Sequence, residues 1–186
     1  MNSPEIIDKM VHVIRTPLDP SWKIQIQNGS IKVNIVLAFI TWLMYLDTNI
    51  RPICKRLRTP AIITNSGIKG QFAIKNIKKL VDQKPSQIAD FFDTIPTHVL
   101  FILFHTINQA DITEVIYKYI SHWKKVKPIT SGEDLQKLDI PPGPVYKEIL
   151  ARIRKAWLDE EIISVEQEQI LLDEIITSKF KNEGSI

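Results

Sequence analysis

Apolar residues recur three or four positions apart along most of the chain, which is the spacing of one helix face. They predict helices over residues 2–14, 31–46, 71–81, 85–92, 97–108, 112–123, 133–138 and 145–159, with a basic turn or short helix at 49–58. Alternation of apolar and polar residues, which would indicate a strand, is limited to the four positions 24–27. We therefore predict an all-α fold, a multi-helix bundle or array that ends in a helix–turn–helix tail.

Residues 62–70 interrupt the helical pattern. They contain Asn65, Ser66, Gly67 and Gly70, so this stretch is predicted as a loop that leads into the helix at 71–81. The helix at 31–46 is expected to be capped by Asn28 or Ser30. By segment, we expect a helical body over 1–83 that continues through 84–128, and a helical tail over 129–186.

The most apolar stretch, residues 35–46, ends after twelve residues at Asp47. A bilayer span needs about 20 apolar residues, so this helix is predicted to lie in a protein core. Composition agrees with a globular protein, since 44% of the 186 residues are hydrophobic and 24% are charged. The single cysteine, Cys54, excludes an internal disulfide framework, and no secretory signal pattern opens the chain, so a cytoplasmic protein is expected.

Charge is strongly segregated although the net charge is only +3. Residues 51–84 carry nine basic side chains and one acidic side chain, and residues 118–155 carry nine basic and four acidic ones. Two such blocks favour a surface that faces a polyanion, because clustered cations release counterions from phosphates on binding. Ordinary solvated helix faces would also account for this composition.

The second basic block contains the most informative motifs. Lys124-Lys-Val-Lys-Pro128 ends one helix, and then Thr130 with Glu133, or Ser131 with Asp134, has the spacing of a capping box. Asp139, a residue type that tolerates the left-handed conformation, precedes the rigid turn Ile140-Pro-Pro-Gly-Pro144. The sequence therefore predicts a short helix, a tight turn and a longer helix in succession.

The longer helix, 145–159, has an apolar arc and a basic side. Lys147 and Arg154 are seven residues apart and therefore share a face opposite the apolar arc, with Lys155 beside them. Its N-terminus after Gly143, with cations nearby, has the layout of a phosphate site. A simple helix hairpin would have the same layout.

Residues 126–162 resemble the C-terminal region of bacterial class II tRNA nucleotidyltransferases and poly(A) polymerases. The similarity lies in Ile129-Thr-Ser-Gly-Glu-Asp-Leu135, which matches an Ile/Leu-Thr-Gly-x-Asp-Leu box, in the turn at 140–144, and in the following helix that ends near Leu158-Asp-Glu160. Residues 84–125 look like the body of longer members. Ser131, Asp139 and Glu160 depart from the family pattern, the last two where glycine is common, which indicates a divergent member.

The resemblance implies the RNA-binding part of such an enzyme, which holds tRNA by its backbone and elbow. Its partners would be tRNA or another structured RNA and a catalytic head, with no membrane. Arg56 and Arg58 are outlying candidates for RNA contacts. The main candidates are Lys124, Lys125, Lys127, Ser131, Gly132, Lys147, Arg154 and Lys155.

In that family, nucleotidyl transfer belongs to an N-terminal head in which an Asp-x-Asp pair holds two metal ions. This sequence contains no Asp-x-Asp, so no catalytic residues and no metal ligands are expected in it. Mg²⁺ and ATP or CTP are expected only for a full-length enzyme that includes the head. We therefore expect the chain to represent body and tail alone and not to polymerise nucleotides by itself.

Other interpretations of single residues are weaker. His98 and His105 are seven residues apart near Asp111 and Glu114, but without a third well-spaced ligand they fit interfacial histidines better than a metal site. Cys54 is expected to be packed.

The sequence also allows a function of a different class: the chain would be a helical protein-interaction module without RNA affinity. It would use an apolar surface around Phe91–Phe92 and Phe101–Phe104.

Overall fold

The computed structural model describes residues 3–24, 26 and 31–180. Within them the fold is all-α, with ten α-helices, three short 3₁₀ turns and no strand. The 3₁₀ turns are Pro20–Trp22, Ile77–Leu80 and Trp123–Lys125. The α-helices are α1 (Ser3–Arg15), α2 (Val33–Tyr45), α3 (Arg51–Arg56), α4 (Ala61–Asn76), α5 (Pro85–Asp93), α6 (Thr97–Thr106), α7 (Ala110–Ser121), α8 (Gly132–Lys137), α9 (Pro144–Leu158) and α10 (Val165–Phe180).

The predicted all-α class is confirmed, and seven helices lie within two residues of their predicted bounds. These are α1, α2 and α5 to α9. α2 begins at Val33, and its N-cap residue Lys32 gives no side-chain cap. The caps proposed from the sequence, Asn28 and Ser30, lie outside the described residues. α10 was not identified from the sequence.

The predicted loop at 62–70 is wrong, because these residues form the first part of α4. The small residues serve close packing between helices. A Cβ added to Gly67 would lie 2.9 Å from Leu43 Cβ, so α4 approaches α2 there at a distance that requires glycine, and one added to Gly70 would displace the Met44 side chain. Gln71 fixes the same contact by donating to the carbonyl oxygens of Leu46 and Thr48, at 2.7 and 3.0 Å, beyond the C-terminus of α2.

The chain divides into two compact units. Unit 1 contains residues 1–83 and 88–121, and unit 2 contains residues 84–87 and 122–186. The three segments expected from the sequence, 1–83, 84–128 and 129–186, remain a prediction.

The core of unit 1 is built on α2 and α6. Leu37, Ile40 and Leu43 of α2 are fully buried, which confirms that the most apolar stretch is a core helix. No single helix of the described chain is long and apolar enough to cross a membrane, and α5 and α6 meet that test only as a pair bent by 115°. Cys54 is buried as expected.

The apolar surface that the protein-interaction hypothesis placed around Phe91–Phe92 and Phe101–Phe104 is largely absent from the exterior. Phe92, Phe101 and Leu103 are 0% exposed. Trp22 covers Phe101 edge-on, with ring centroids 5.4 Å apart. These side chains therefore stabilise unit 1, whereas Phe91 is half-buried and stacks on Phe72, which is 47% exposed.

The close α2–α4 contact gives a prediction about Gly67→Ala. In an uncrowded helix, alanine in place of glycine stabilises by about 1 kcal/mol. At Gly67 we expect the opposite, a loss of about 1–3 kcal/mol in the free energy of unfolding, because the new methyl group forces the two helices apart. Chemical denaturation measures it. Lys69→Ala, at an exposed position of the same helix, should stay within about 0.5 kcal/mol of wild type. A more stable Gly67→Ala protein would contradict the packing account.

Candidate nucleic-acid interface

The candidate interface lies on unit 2, whose small core joins α8, α9, α10 and the turns between them. Val145, Tyr146, Leu150, Trp157 and Ile175 border this core. The buried members are Leu135, Ile140, Ile149, Ile153, Ala156, Ile162 and Leu172. The apolar arc that the sequence predicted for α9 is therefore the face that packs inward.

A capping box starts α8, and it is formed by the second of the two pairs that the sequence allowed. The Asp134 amide donates to Ser131 Oγ at 3.3 Å, and the Ser131 amide donates back to Asp134 Oδ2 at 3.0 Å. Hydrogen bonds from Ser131, together with Lys137, lower the pKa of Asp134 to about 2. The Ser131 hydroxyl is thus engaged in a helix cap, and Gly132 is the first residue of α8.

Thr130, which the sequence allowed to pair with Glu133, binds the carboxylate of Glu168 instead. Its amide and its hydroxyl both donate to Glu168 Oε1 of α10 at 2.6 Å, and the Ile129 amide donates to Oε2 at 3.1 Å. The indole N–H of Trp157 on α9 also donates to Oε2. Glu168 is 2% exposed, so one buried carboxylate joins the loop before α8 to α9 and α10.

These contacts determine the charge state of Glu168. Burial alone would raise the pKa of this carboxyl, but the hydrogen bonds from Thr130, Trp157 and Ile129 outweigh burial, and the pKa lies below its ordinary value. Glu168 therefore stays ionised at neutral pH. Glu168 was not predicted from the sequence, and the available signal was its position four residues before Leu172 and seven before Ile175, on the apolar arc of α10.

The turn between α8 and α9 has the features that the sequence predicted. Asp139 adopts a left-handed conformation with φ 55°, and Pro144 is the first residue of α9 after an extended Gly143. The Tyr146 hydroxyl donates to the Ile140 carbonyl oxygen at 2.8 Å and closes the turn. Glu160 is also left-handed, with φ 57°.

Arg154 connects the two basic stretches. Its Nε donates to the carbonyl oxygen of Val126 at 3.1 Å, which holds the segment 124–127 against the basic side of α9. Lys125 and Lys127, the chain neighbours of Val126, are exposed, as is Lys155 beside Arg154. This hydrogen bond thus joins two separate basic parts of the sequence, the segment 124–127 and α9.

The other predicted contacts lie around or away from this surface. Lys147 is exposed two turns before Arg154 on the same face of α9, about 10 Å along the helix axis. Lys124 is exposed in the 3₁₀ turn Trp123–Lys125, and Ser131 and Gly132 lie at the start of α8. Arg56 and Arg58 belong to unit 1. We call Lys125, Lys127, Lys147, Arg154 and Lys155 the basic face.

His98 and His105, the histidines considered as metal ligands, contact neighbouring side chains of unit 1. His98 is buried, its Nε2 lies 2.7 Å from the Ser66 hydroxyl oxygen, and burial lowers its pKa to about 4, so it is neutral at physiological pH. His105 lies against the ring of Phe101, with centroids 4.5 Å apart. In the part of the chain that the structure describes, no group of three or more His, Cys, Asp or Glu side chains could hold a metal ion.

Comparison with family models, with curated proteins and with solved structures gave no match to this chain. The nucleotidyltransferase resemblance therefore stays a prediction from the sequence.

The Glu168 contacts predict a pH-dependent stability difference. Glu168→Gln should lower the free energy of unfolding by about 1.5–3 kcal/mol at neutral pH, because charge-assisted hydrogen bonds are lost. Because the pKa of Glu168 is lowered in the folded protein, the full stabilisation is present above pH 4.5, the ordinary pKa of this carboxyl. The stabilisation is lost as the pH falls through the lowered pKa. Urea unfolding of both proteins between pH 7 and pH 3 measures it. Glu174→Gln, at an exposed position of α10, is the control. A difference that does not change with pH would be inconsistent with an ionised Glu168.

The Arg154 contact predicts a local change in dynamics. Arg154→Ala should speed amide exchange in residues 122–128 by about tenfold, since a hydrogen bond contributes about 1–1.5 kcal/mol to keeping the segment closed. Hydrogen-exchange mass spectrometry measures it. Arg152→Ala is the matched control, because Arg152 lies on the same helix as Arg154 and pairs with Glu161, 2.7 Å away, beyond the end of that helix. Equal exchange in both variants would show that Arg154 does not hold the segment.

Proposed function

We propose that the chain binds tRNA, or a structured RNA like it, through the phosphates that meet the basic face of unit 2. In this proposal the chain is the RNA-holding part of a system related to tRNA nucleotidyltransferases, and a separate head carries out nucleotide addition. The resemblance over residues 126–162 supplies the choice of RNA. The arrangement of cations supplies the binding chemistry.

The observation that carries the proposal is the hydrogen bond from Arg154 to the Val126 carbonyl oxygen. It joins the basic segment 124–127 to the basic side of α9, so that separate charges form one surface. Lysines and arginines held on one surface gain more from counterion release than the same charges dispersed around the molecule.

The chemistry of unit 2 favours contact with the RNA backbone over recognition of bases. Sequence-specific binding of single strands uses aromatic side chains that stack on bases. Tyr146 and Trp157 are instead bound within unit 2, to the Ile140 carbonyl oxygen and to Glu168. The cations of the basic face suit an A-form duplex, which proteins contact mainly through phosphates and 2′-hydroxyls.

A second candidate function, a protein-interaction module, is supported by one apolar cavity in unit 1. The cavity has a volume of about 380 Å³, and Ile31, Ile35, Phe39, Leu57 and Ile63 contribute to its lining. Ile35 is 52% exposed beside it. A partner such as a catalytic head would bury this surface, and its binding would be insensitive to salt.

The RNA proposal is tested with a variant that removes three exposed lysines of the basic face. Lys125→Ala, Lys127→Ala and Lys147→Ala together should weaken tRNA binding, and the slope of log K against log salt should decrease by about 1 for each lysine that contacts a phosphate. Fluorescence anisotropy at several salt concentrations measures both quantities. Arg154 is left intact because it also holds the segment 124–127.

A charge-matched control removes three cations that already pair with carboxylates. These are Lys118, Lys137 and Arg152, which lie 2.7, 3.0 and 2.7 Å from Glu114, Asp134 and Glu161. Replacing them with alanine should leave the salt slope close to that of wild type. The same slope in all three proteins, or an equal loss in both variants, would overturn the assignment to the basic face.

A further inference from the structure

A second concentration of positive charge lies in unit 1, in a cavity of about 470 Å³ at the junction of α3 and α4. Arg51, Lys55 and Arg58 line it, together with the polar side chains of Thr64 and Asn65. No carboxylate lines it, and the sequence contains no Asp or Glu between Arg51 and Val81. Within the described residues, none of the three cations forms an ion pair.

Three cations around one cavity repel one another. Arg51 and Lys55 are four residues apart on α3, a spacing at which like charges destabilise a helix. The fold therefore keeps an arrangement that lacks internal compensation, and an anion in the cavity would provide it.

Arg58 occupies a position that favours glycine. The Arg58 amide donates to the Lys55 carbonyl oxygen at 3.2 Å and the Thr59 amide donates to that of Cys54 at 2.9 Å, which together form a Schellman motif at the end of α3. Arg58 is the left-handed residue of this motif, with φ 52°. A residue with a side chain is strained in this conformation. The Arg58 side chain lines the cavity despite this cost.

The positive end of a longer helix contributes to the same cavity. α4 has 16 residues, Ala61 is its first, and Ala61 lines the cavity. Pro60 precedes it and supplies no side-chain cap. The amides of Ile63 and Thr64 donate to the Pro60 carbonyl oxygen, and those of Ala61 and Ile62 donate to no acceptor in the described chain. These two amides add to the positive potential that the three side chains create.

We propose that this cavity binds a phosphate group, as a monoester, a diester or a free oligophosphate. Arginine guanidinium groups bind phosphate oxygens through pairs of hydrogen bonds. The side-chain amide of Asn65 and the backbone N–H of Ala61 provide neutral donors at the same cavity. The site lies in unit 1 and shares no residue with the basic face, so it does not depend on the proposed RNA interface. The phosphate comes either from a small soluble molecule or from the backbone of a bound RNA.

The test uses the full chain with inorganic pyrophosphate as the probe. Isothermal titration calorimetry should detect binding to wild type, and the variant with Arg51→Ala, Lys55→Ala and Arg58→Gly should bind at least about tenfold more weakly. Glycine is chosen at position 58 because it accepts the left-handed backbone. Lys75→Ala, Lys78→Ala and Lys79→Ala together form the control, since replacing these exposed cations removes the same charge and none of them lines the cavity.

A parallel tRNA titration of the same three proteins separates the two sources of phosphate. If RNA supplies the group, the cavity variant also loses RNA affinity and salt slope, whereas a loss of pyrophosphate binding alone identifies a small soluble ligand. If the cavity variant does not fold, amide NMR shifts on wild type replace it. Pyrophosphate should then shift the Ala61 and Thr64 amides and leave that of Lys78 unchanged.

The proposal is overturned if wild type binds no pyrophosphate and the cavity variant retains wild-type RNA binding. It is equally overturned if the control variant loses as much affinity as the cavity variant, or if the amide shifts are absent or spread evenly over unit 1. Because the basic face is intact in all of these proteins, failure here is distinct from failure of the RNA proposal.

Discussion

The buried carboxylate of Glu168 is the constraint on which unit 2 depends. An ionised carboxylate removed from water is costly unless hydrogen bonds compensate it, so its partners must be kept in place. Those partners come from the loop at 129–130 and from Trp157 of α9. One side chain of α10 therefore fixes where the chain enters α8 and how α9 is rotated, and the Ser131–Asp134 capping box begins α8 directly after the fixed loop.

The basic face follows from this arrangement. Val126 lies three residues before the loop that Glu168 holds, and Arg154 lies three residues before Trp157 on α9. Because Glu168 holds both the loop at 129–130 and Trp157 of α9, Arg154 reaches the Val126 carbonyl oxygen. The segment that carries Lys125 and Lys127 then lies next to the basic side of α9. An acidic residue within the core thus organises positive charge on the exterior, and this links the packing of unit 2 to its proposed contact with RNA.

Features set by local chemistry could be predicted from the sequence, and features set by distant contacts could not. The capping box spacing, the left-handed Asp139 and Pro144 as the first residue of α9 depend on neighbouring residues only. Gly67 and Gly70 were misassigned to a loop because their role is contact with α2, some 25 residues earlier in the chain. The sequence identified Arg154 as a cation but not its bond to Val126, and it left Glu168 unnoticed, because the bonds of Arg154 to Val126 and of Glu168 to Ile129 span 28 or more residues.

The central proposal is that unit 2 binds RNA by charge and shape, and a titration of labelled tRNA against the wild-type chain at low and high salt tests it most directly. A DNA duplex of similar size serves as competitor. The account predicts tight binding that weakens steeply with salt and that the DNA duplex does not displace, because A-form geometry and 2′-hydroxyls contribute to it. No binding at low salt, or complete displacement by the DNA duplex, would contradict it.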